Sequence, residues 1–392
     1  MKIQFEKNPE QIELIRALAS ENKTVAMQAQ EAFAAFISQV VLQVLQQAST
    51  ASILYRDIEF DEDDAPSIPL DLYYGQSEGT ISVWSQTVGG GLPTNFVQGL
   101  QEMKVNTYRL DSSIAMEKRY VRRARLDVVA AGLERMANEL LVKQERNAWA
   151  VVLKALADAQ STVSTVSGGT TPQKHVIRTG TNNVFQVDDM NKLWTLVRRI
   201  NAAYTGGTPS NLQVRGLTDV FVSPEVKEQI RAFAYQPMNT RNATANNNQY
   251  GVVALPDTVR EEIFRSAGTN EIFGVTIHEM LELGLGRKYN NLFGAFANGA
   301  SYSSIADTSL AGGAGSTNSN NFDSAADQLI IGIDSTRNAF LRPVAIQSES
   351  RGQVRVLPDD QFLARSSKVG FYSFVEEGRV VTDARAVVGL VA

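Results

Sequence analysis

MEKRYVRRARLDVVAAGLERMANELLVKQERNAWAVVLKALADA, residues 116 to 159, holds no proline, a single glycine (Gly132) and a majority of strong helix formers, and it predicts one long amphipathic helix. Val121, Ala124, Val128, Val129, Leu133, Met136, Leu140, Ala148, Val151 and Ala155 recur at helical spacing, with Arg, Glu, Lys and Gln opposite them. A helix of about forty residues is on the order of 60 Å long, more than a compact domain of this size needs. Its first turns carry Lys118, Arg119, Arg122, Arg123 and Arg125. That sign is wrong for the positive end of a helix dipole, so the basic cluster calls for an acidic partner.

The segment that leads into this helix, about Leu70 to Ala115, has a different texture. Tyr73, Tyr74, Ile81, Val83, Trp84, Val88, Phe96, Val97, Val105 and Tyr108 are β-prone, and Gly75, Gly79, Gly89, Gly90, Gly91, Pro93 and Gly99 punctuate them. Strands joined by flexible turns are the expectation. Gly89-Gly90-Gly91 is not a phosphate-cradling loop, because Leu92-Pro93-Thr94 follows where such a loop ends in Gly-Lys-Ser/Thr.

Upstream lie two predicted helices. Pro9 suits a first helical turn ahead of Ile12, Ile15, Leu18 and Ala19. Phe33, Phe36, Ile37, Val40, Val41, Val44 and Leu45 then make a wide apolar stripe, either a core helix of this chain or an arm that docks on a neighbour. Glu59, Asp61, Glu62, Asp63 and Asp64, bounded by Pro66 and Pro69, read as an extended acidic linker without the central Gly of a calcium loop. The strip Asp61 to Asp64, from the same or a neighbouring copy, is the expected partner of the arginines of that basic cluster, 119, 122, 123 and 125.

Downstream, Ser161 to Thr171 is a Ser/Thr/Gly linker, and an α/β subdomain is expected from about Val187. Asp188-Asp189 caps a helix with Met190, Leu193, Trp194, Val197 and Ile200 on its apolar face. Leu217, Val220, Phe221 and Val222 form a short strand, and Ser223-Pro224-Glu225 opens a helix through Ala234. Met238 to Gly251 and Asn298 to Asp327 read as long polar loops. Strands return from Gln328 onward, at 329–331, 344–346, 354–356, 369–374 and 379–381.

Composition excludes several function classes. The 392 residues are 43% hydrophobic, enough for two subdomains with cores of their own. There is no cysteine, hence no disulfide or thiolate metal site, and a reducing cytosol is the natural place of assembly. No run is long and apolar enough to span a bilayer, and Met1 to Lys7 lacks the core of a signal peptide. A net charge of −5 argues against a tight grip on a phosphate backbone.

Two histidines, His175 and His278, starve most acid–base designs. His278-Glu279-Met280-Leu281-Glu282 begins like a zinc-protease helix but has Glu282 where the second histidine belongs, so a structural, strand-borne histidine is expected. Gly284-Leu285-Gly286-Arg287-Lys288 lacks the third Gly of a nucleotide loop, and Glu376-Glu377 before Gly378 reads as a turn. Catalytic, cofactor and metal residues are accordingly none.

With its elements in this order, the α+β chain resembles the major capsid proteins of tailed bacteriophages that have the HK97 fold. The resemblance rests on element order and on the closing texture of Asp360-Gln361-Phe362-Leu363-Ala364-Arg365, Lys368-Val369-Gly370-Phe371, Glu376-Glu377-Gly378-Arg379-Val380-Val381 and Asp383-Ala384-Arg385-Ala386. It implies an N-terminal arm over 1–68, an E-loop β-hairpin over 69–115, a P-domain with the long spine helix over 116–186, an A-domain over 187–339 and return strands with the C-terminus over 340–392.

By the same resemblance the chain is a structural subunit, not an enzyme. Identical copies would close hexamers and pentamers into an icosahedral virion shell around double-stranded DNA, without reading its sequence and without a membrane, in the host bacterial cytoplasm. Portal, scaffold or decoration proteins would be further partners. Some relatives lose an N-terminal scaffolding segment, and some form Lys-Asn crosslinks; Lys104 is the sole lysine of the expected E-loop. Candidates for contact between subunits are Asp61, Glu62, Asp63, Asp64, Trp84, Lys104, Arg119, Arg122 and Arg123. The alternatives are an encapsulin-like cargo compartment, which shares the fold, a hydrolase with an unrecognised site, and a solitary binding module.

Overall fold

The computed structural model describes residues 9–20, 22–48, 50–61, 65–69, 102–123, 126–161, 173–179, 184–204, 216–232, 257–258, 261, 271–297, 322–346, 354–359 and 368–392. Helix and sheet are mixed, and the chain divides into two compact units, each assembled from separate stretches of sequence. The first takes residues 1–69, 102–149 and 340–380; the second takes 70–101, 150–339 and 381–392.

In the first unit, helix α1 (Pro9–Leu18) starts at the expected proline, and α2 (Lys23–Ala48) follows. The Asn22 side chain caps α2 by accepting from the Thr24 N–H at 3.3 Å. Next come β1 (Arg56–Asp61), β2 (Ser67–Pro69), β3 (Glu102–Lys104) and β4 (Tyr108–Glu117). Helix α3 (Lys118–Arg122) is short, and α4 (Leu126–Asp158) has 33 residues, with the boundary between the units inside it, after Trp149. Strands β12 (Phe340–Ile346), β13 (Arg355–Asp359) and β14 (Lys368–Glu377) complete this sheet, and β15 (Val380–Val381) lies at the boundary.

β14 is the backbone of the sheet. It pairs antiparallel with β4 over its whole length, from Lys368↔Glu117 to Glu377↔Tyr108, and with β13. β12 joins its far end at Val344↔Glu377 and carries β1 in parallel, Glu59 beside Val344. Phe33 and Ile37 of α2, Ile15 and Leu18 of α1, and Leu133, Met136 and Leu140 of α4 close on Val369, Phe371 and Val375. Phe33 meets Phe371 at 5.4 Å between ring centres. Phe33 and Ile37 of the α2 stripe are therefore core of this same chain, whereas Phe36 is exposed.

The helix begins later than expected. Residues 108–117 alternate outward and inward as a strand, with Leu110 and Met116 buried, and ten consecutive pairings to β14 outweigh the helix propensity of Met116 and Glu117. The basic residues at 118, 119, 122 and 123 thus belong to α3 and its C-cap, not to the first turns of the long helix. Gly132 sits where α4 crosses β4: a Cβ there would lie 2.7 Å from Ile114 Cδ1.

The second unit is built on six strands in the order β7-β16-β11-β8-β10-β9. These are β7 (Val176–Arg178), β8 (Asp219–Val222), β9 (Glu271–Ile272), β10 (Val275–Glu279), β11 (Leu329–Ile333) and β16 (Val387–Val391). β5 (Gln160–Ser161) and β6 (Gln173–Lys174) pair separately. Helices α5 (Val187–Tyr204) and α6 (Pro224–Ala232) cover one face, with Leu193, Val197, Ile200, Val226 and Ile230 on Val220, Val222, Ile330 and Val388.

Both caps act as the sequence suggests. The Asp189 carboxylate accepts from the Gln186 N–H at 3.1 Å and the Ser223 hydroxyl oxygen from the Val226 N–H at 3.2 Å. Two glycines let helices approach the sheet from opposite faces. A Cβ at Gly332 would meet Leu217 at 2.7 Å, Val388 at 2.9 Å and Leu193 at 3.1 Å, and one at Gly389 would meet Val176 at 3.1 Å and Leu156 at 3.2 Å.

The segment 340–392, expected to hold return strands and the C-terminus, contributes residues 340–380 to the first unit and 381–392 to the second. Its last strand, β16, is buried throughout and lies between β7 and β11 in the second sheet. Among the described residues no helix is long and apolar enough to cross a membrane.

Candidate functional site

Glu377, expected in a turn, is the last residue of β14 and its side chain is fully buried. The Arg342 Nε donates to Oε2 at 2.7 Å, Arg379 Nη2 reaches the same oxygen at 3.2 Å, and Gln144 Nε2 donates to it at 3.2 Å. The Tyr108 hydroxyl donates to Oε1 at 3.0 Å. Strands β4, β12 and β14 and helix α4 thus converge on one carboxylate, where the two guanidiniums offset its desolvation.

Arg379 also stacks over the Tyr55 ring at 4.7 Å, and the Tyr55 hydroxyl donates to the Ala148 carbonyl at 3.0 Å. Burial pushes the Tyr55 phenol well above its ordinary range; burial, followed by the nearby Glu377 charge, pushes Tyr108 up to about 12. One helical turn away, Trp149 Nε1 donates to Thr50 Oγ1 at 3.1 Å and to Glu145 Oε1 at 3.0 Å, and Thr50 is itself bonded to Glu145. These groups fasten the connection between α2 and β1 to the long helix. They offer no open position to a substrate.

The second unit holds its charges differently. Arg178 makes a two-pronged pair with Asp327, 3.1 and 2.8 Å. Asp383 receives Arg337 at 2.6 Å and Arg385 at 2.7 Å; burial would raise its carboxyl, but the bonds and charges of Arg385 and then Arg337 hold it below the usual range. His278 is on strand β10, stacked on Phe221 at 4.9 Å, with Nε2 3.0 Å from Asp219 Oδ1.

Thr218 donates to Asp219 Oδ2 at 2.7 Å and lies 2.9 Å from the Ser335 hydroxyl. Burial lifts Asp219, yet the hydrogen bonds from His278, Thr218 and Ser335 prevail and keep its carboxyl low. In nucleophilic catalysis the imidazole stands between hydroxyl and carboxylate. Here the carboxylate stands between imidazole and hydroxyls, so the imidazole is not placed to take a hydroxyl proton. His175 is buried, with Nδ1 3.2 Å from the Ala384 carbonyl oxygen and 3.3 Å from that of Val387. Among the described residues no group of three or more acidic or histidine side chains could hold a metal ion.

Of the candidate contact residues, Glu62, Asp63, Asp64 and Trp84 lie outside the described residues, as does the body of the expected E-loop, 70–101. Asp61 is exposed at the end of β1, an edge strand rather than a linker. Lys104 is exposed on β3, which pairs antiparallel with β2: Ser67↔Lys104, Ile68↔Met103, Pro69↔Glu102. The chain thus leaves at Pro69 and returns at Glu102 side by side, and by Tyr108 it is already in the main sheet, short of the Ala115 expected for the end of the loop. Arg119, Arg122 and Arg123 are exposed on and just after α3, where Arg119 pairs with Glu117 and stacks over Tyr120 at 5.0 Å.

No family model matches the chain, and no curated protein does. Solved structures do. The capsid of the cyanophage P-SCSP1u is similar over 86% of both chains at 13% identity, with a TM-score of 0.47. A protein of the Microbacterium phage Oxtober96 is similar over 88% of this chain and 90% of its own at 12% identity, TM-score 0.46. The virus-like particle from Pyrococcus furiosus is similar over 91% of this chain and 99% of its own at 10% identity, TM-score 0.41.

Proposed function

We propose that this chain is a structural subunit that self-assembles into a closed shell, the icosahedral capsid of a tailed double-stranded DNA phage. The observation that carries the reading is the β2–β3 pair. It brings Pro69 and Glu102 together at the root of an excursion of 32 residues (70–101), just before a strand that leads to a 33-residue helix shared by two separately cored units. A long strut of this kind suits contacts with other copies, and the order of the described elements is in keeping with the HK97-type capsid proteins this sequence resembles.

On this reading the work is geometric rather than catalytic. Apolar burial at roughly 25 cal/mol per Å², repeated over several interfaces, offsets the entropy lost on association. DNA is enclosed without being read, and the mature location is the virion. Purified full-length chain under negative-stain microscopy should show closed particles, and particles from infected cells should protect DNA from nuclease. A monodisperse monomer at all concentrations would defeat the reading; shells filled with protein and no DNA would move it to a cargo compartment.

A further inference from the structure

Two stretches of chain run as one ribbon through both sheets. One carries β11 and then β12, the other β14, β15 and β16. Their pairing is antiparallel: Val344 lies opposite Glu377, the Gly378 N–H donates to the Pro343 carbonyl and the Thr382 N–H to the Ala339 carbonyl, both at 2.8 Å, and Ile333 lies opposite Val387. The first stretch passes from one unit to the other after Ala339, the second after Val380.

The ribbon is interrupted at one place. Between the Ala339–Thr382 and Ile333–Val387 rungs, residues 334–338 lie opposite 383–386, one residue more on the first stretch than on the second. Such an unequal count bends a ladder and increases its local twist. Each stretch makes a single turn of 3-10 helix there, Ser335–Arg337 on one and Ala384–Ala386 on the other. An aspartate opens each turn: Asp334 accepts from the Thr336 N–H at 3.1 Å and Asp383 from the Arg385 N–H at 3.0 Å. Asn338 ends the first turn at φ 51°, a left-handed conformation that asparagine tolerates better than most residues. One side chain spans the interruption. Asp383 accepts from Arg337 Nη1 at 2.6 Å, across the ribbon, and from Arg385 Nε at 2.7 Å on its own stretch. Arg337 also lies 3.5 Å from Asp334, so the two capping aspartates share a guanidinium. The side chains of Asp334, Arg337 and Asp383 are no more than 12% exposed, where salt screens such pairs little.

We infer that the two 3-10 turns form a joint in this ribbon and that Asp383 is its lock. By holding one arginine from each stretch, the carboxylate keeps both turns in a single arrangement; without its charge both loosen together, while β11 and β16 stay paired. The joint lies wholly within the second unit, just before both stretches leave it. Its use rests on the shell reading above. Copies of one sequence meet unlike surroundings in a closed shell, and a joint of a few residues at the ends of strands can absorb the difference. The lock gives every free copy the same starting form.

Hydrogen exchange on the full-length chain, read by mass spectrometry, tests the lock. Asp383→Asn keeps a side-chain oxygen for the Arg385 N–H and removes the charge. Peptides covering 334–339 and 382–386 should then exchange about tenfold faster than in the parent, as the loss of a charge-assisted hydrogen bond allows, while peptides from β11 and β16 keep their rates. Arg385→Gln, a milder change at a side chain that keeps some solvent, should quicken both turns by a smaller factor, and it decides the matter where Asp383→Asn does not fold. No change in either turn, a change in one turn alone, or an equal rise through β11 and β16 would overturn the joint. Particles assembled from Asp383→Asn should show a wider spread of diameters under negative stain than those of the parent. A spread as narrow as the parent's would overturn the role in the shell and leave the joint to the exchange result. An unaltered chain that forms no particles would overturn the shell reading, with the exchange result still deciding the joint.

Discussion

The first unit gathers its buried charge around one carboxylate, Glu377, whereas the second spreads it over Asp219, Asp327 and Asp383, each with its own partners. The difference is one of risk. In the first, a single side chain joins three strands and the long helix, so its loss takes the main partner from two guanidiniums at once. In the second, each pair ties two neighbouring segments and can fail alone. A concentrated cluster makes a unit that is either whole or broken, and distributed pairs allow local give.

The largest expected effect tests that contrast directly. Glu377→Gln should cost on the order of 3–5 kcal/mol, because Arg379 remains buried without its countercharge and Arg342 keeps only the 3.4 Å contact with Asp57. Asp327→Asn should cost less, since both partners of the Arg178 pair keep some solvent. Single-tryptophan variants separate the readouts: Trp149 reports on the first unit and Trp194 on the second, and denaturant titration of each gives the loss. Equal losses would end the contrast.

Next in size is a pair of glycine substitutions. Gly332→Ala meets three packed side chains in the second unit and should cost about 1–3 kcal/mol. Gly132→Ala meets chiefly the flexible end of Ile114 and gains helix propensity, so its net cost should be under about 1 kcal/mol. Thermal unfolding of both variants checks the order.

Opposite in sign, Gln30→Leu should stabilise the first unit by about 1 kcal/mol. The Gln30 amide is 1% exposed on α2, and neither its nitrogen nor its oxygen has a partner among the described residues. A variant less stable than the parent would show that this amide holds the register of α2.

The smallest effect per group is titration, and it splits the units by pH. Asp219 and Asp383 have folded carboxyls below their unfolded range, so their contribution is present above the unfolded value near 3.9 and disappears as pH falls through the folded one. Asp189, lifted chiefly by burial, opposes them in part. Tyr55 and Tyr108 are raised, so their contribution is full below the ordinary phenol value near 10 and, for Tyr108, is lost as pH rises through about 12. Trp194 fluorescence should therefore change first in acid and Trp149 fluorescence first in alkali; the reverse order would contradict the assignment.

Local signals in the sequence were legible where chemistry is local. The caps at Asp189 and Ser223 and the apolar spacing of Leu193, Val197 and Ile200 need no distant partner to be read. Misreadings arose where a partner far along the chain decides. Met116 and Glu117 are helix-compatible in isolation and instead end a strand because β14, some 250 residues later, pairs with both of them. Glu377 looks like a turn residue before Gly378 until Arg342, Arg379, Gln144 and Tyr108 are brought to it. The Val387–Val391 run gives no alternation because both of its faces are covered, so its place between β7 and β11 leaves no periodic trace.

The position of β16 has a consequence for synthesis. The second sheet needs residues 387–391 between its β7 and β11 strands, whereas the described strands of the first sheet end with β15 at Val381. A chain cut short before residue 387 would leave Leu193, Val220 and Ile330 without their neighbour Val388, an open apolar surface that cellular quality control can recognise before a defective copy is built in.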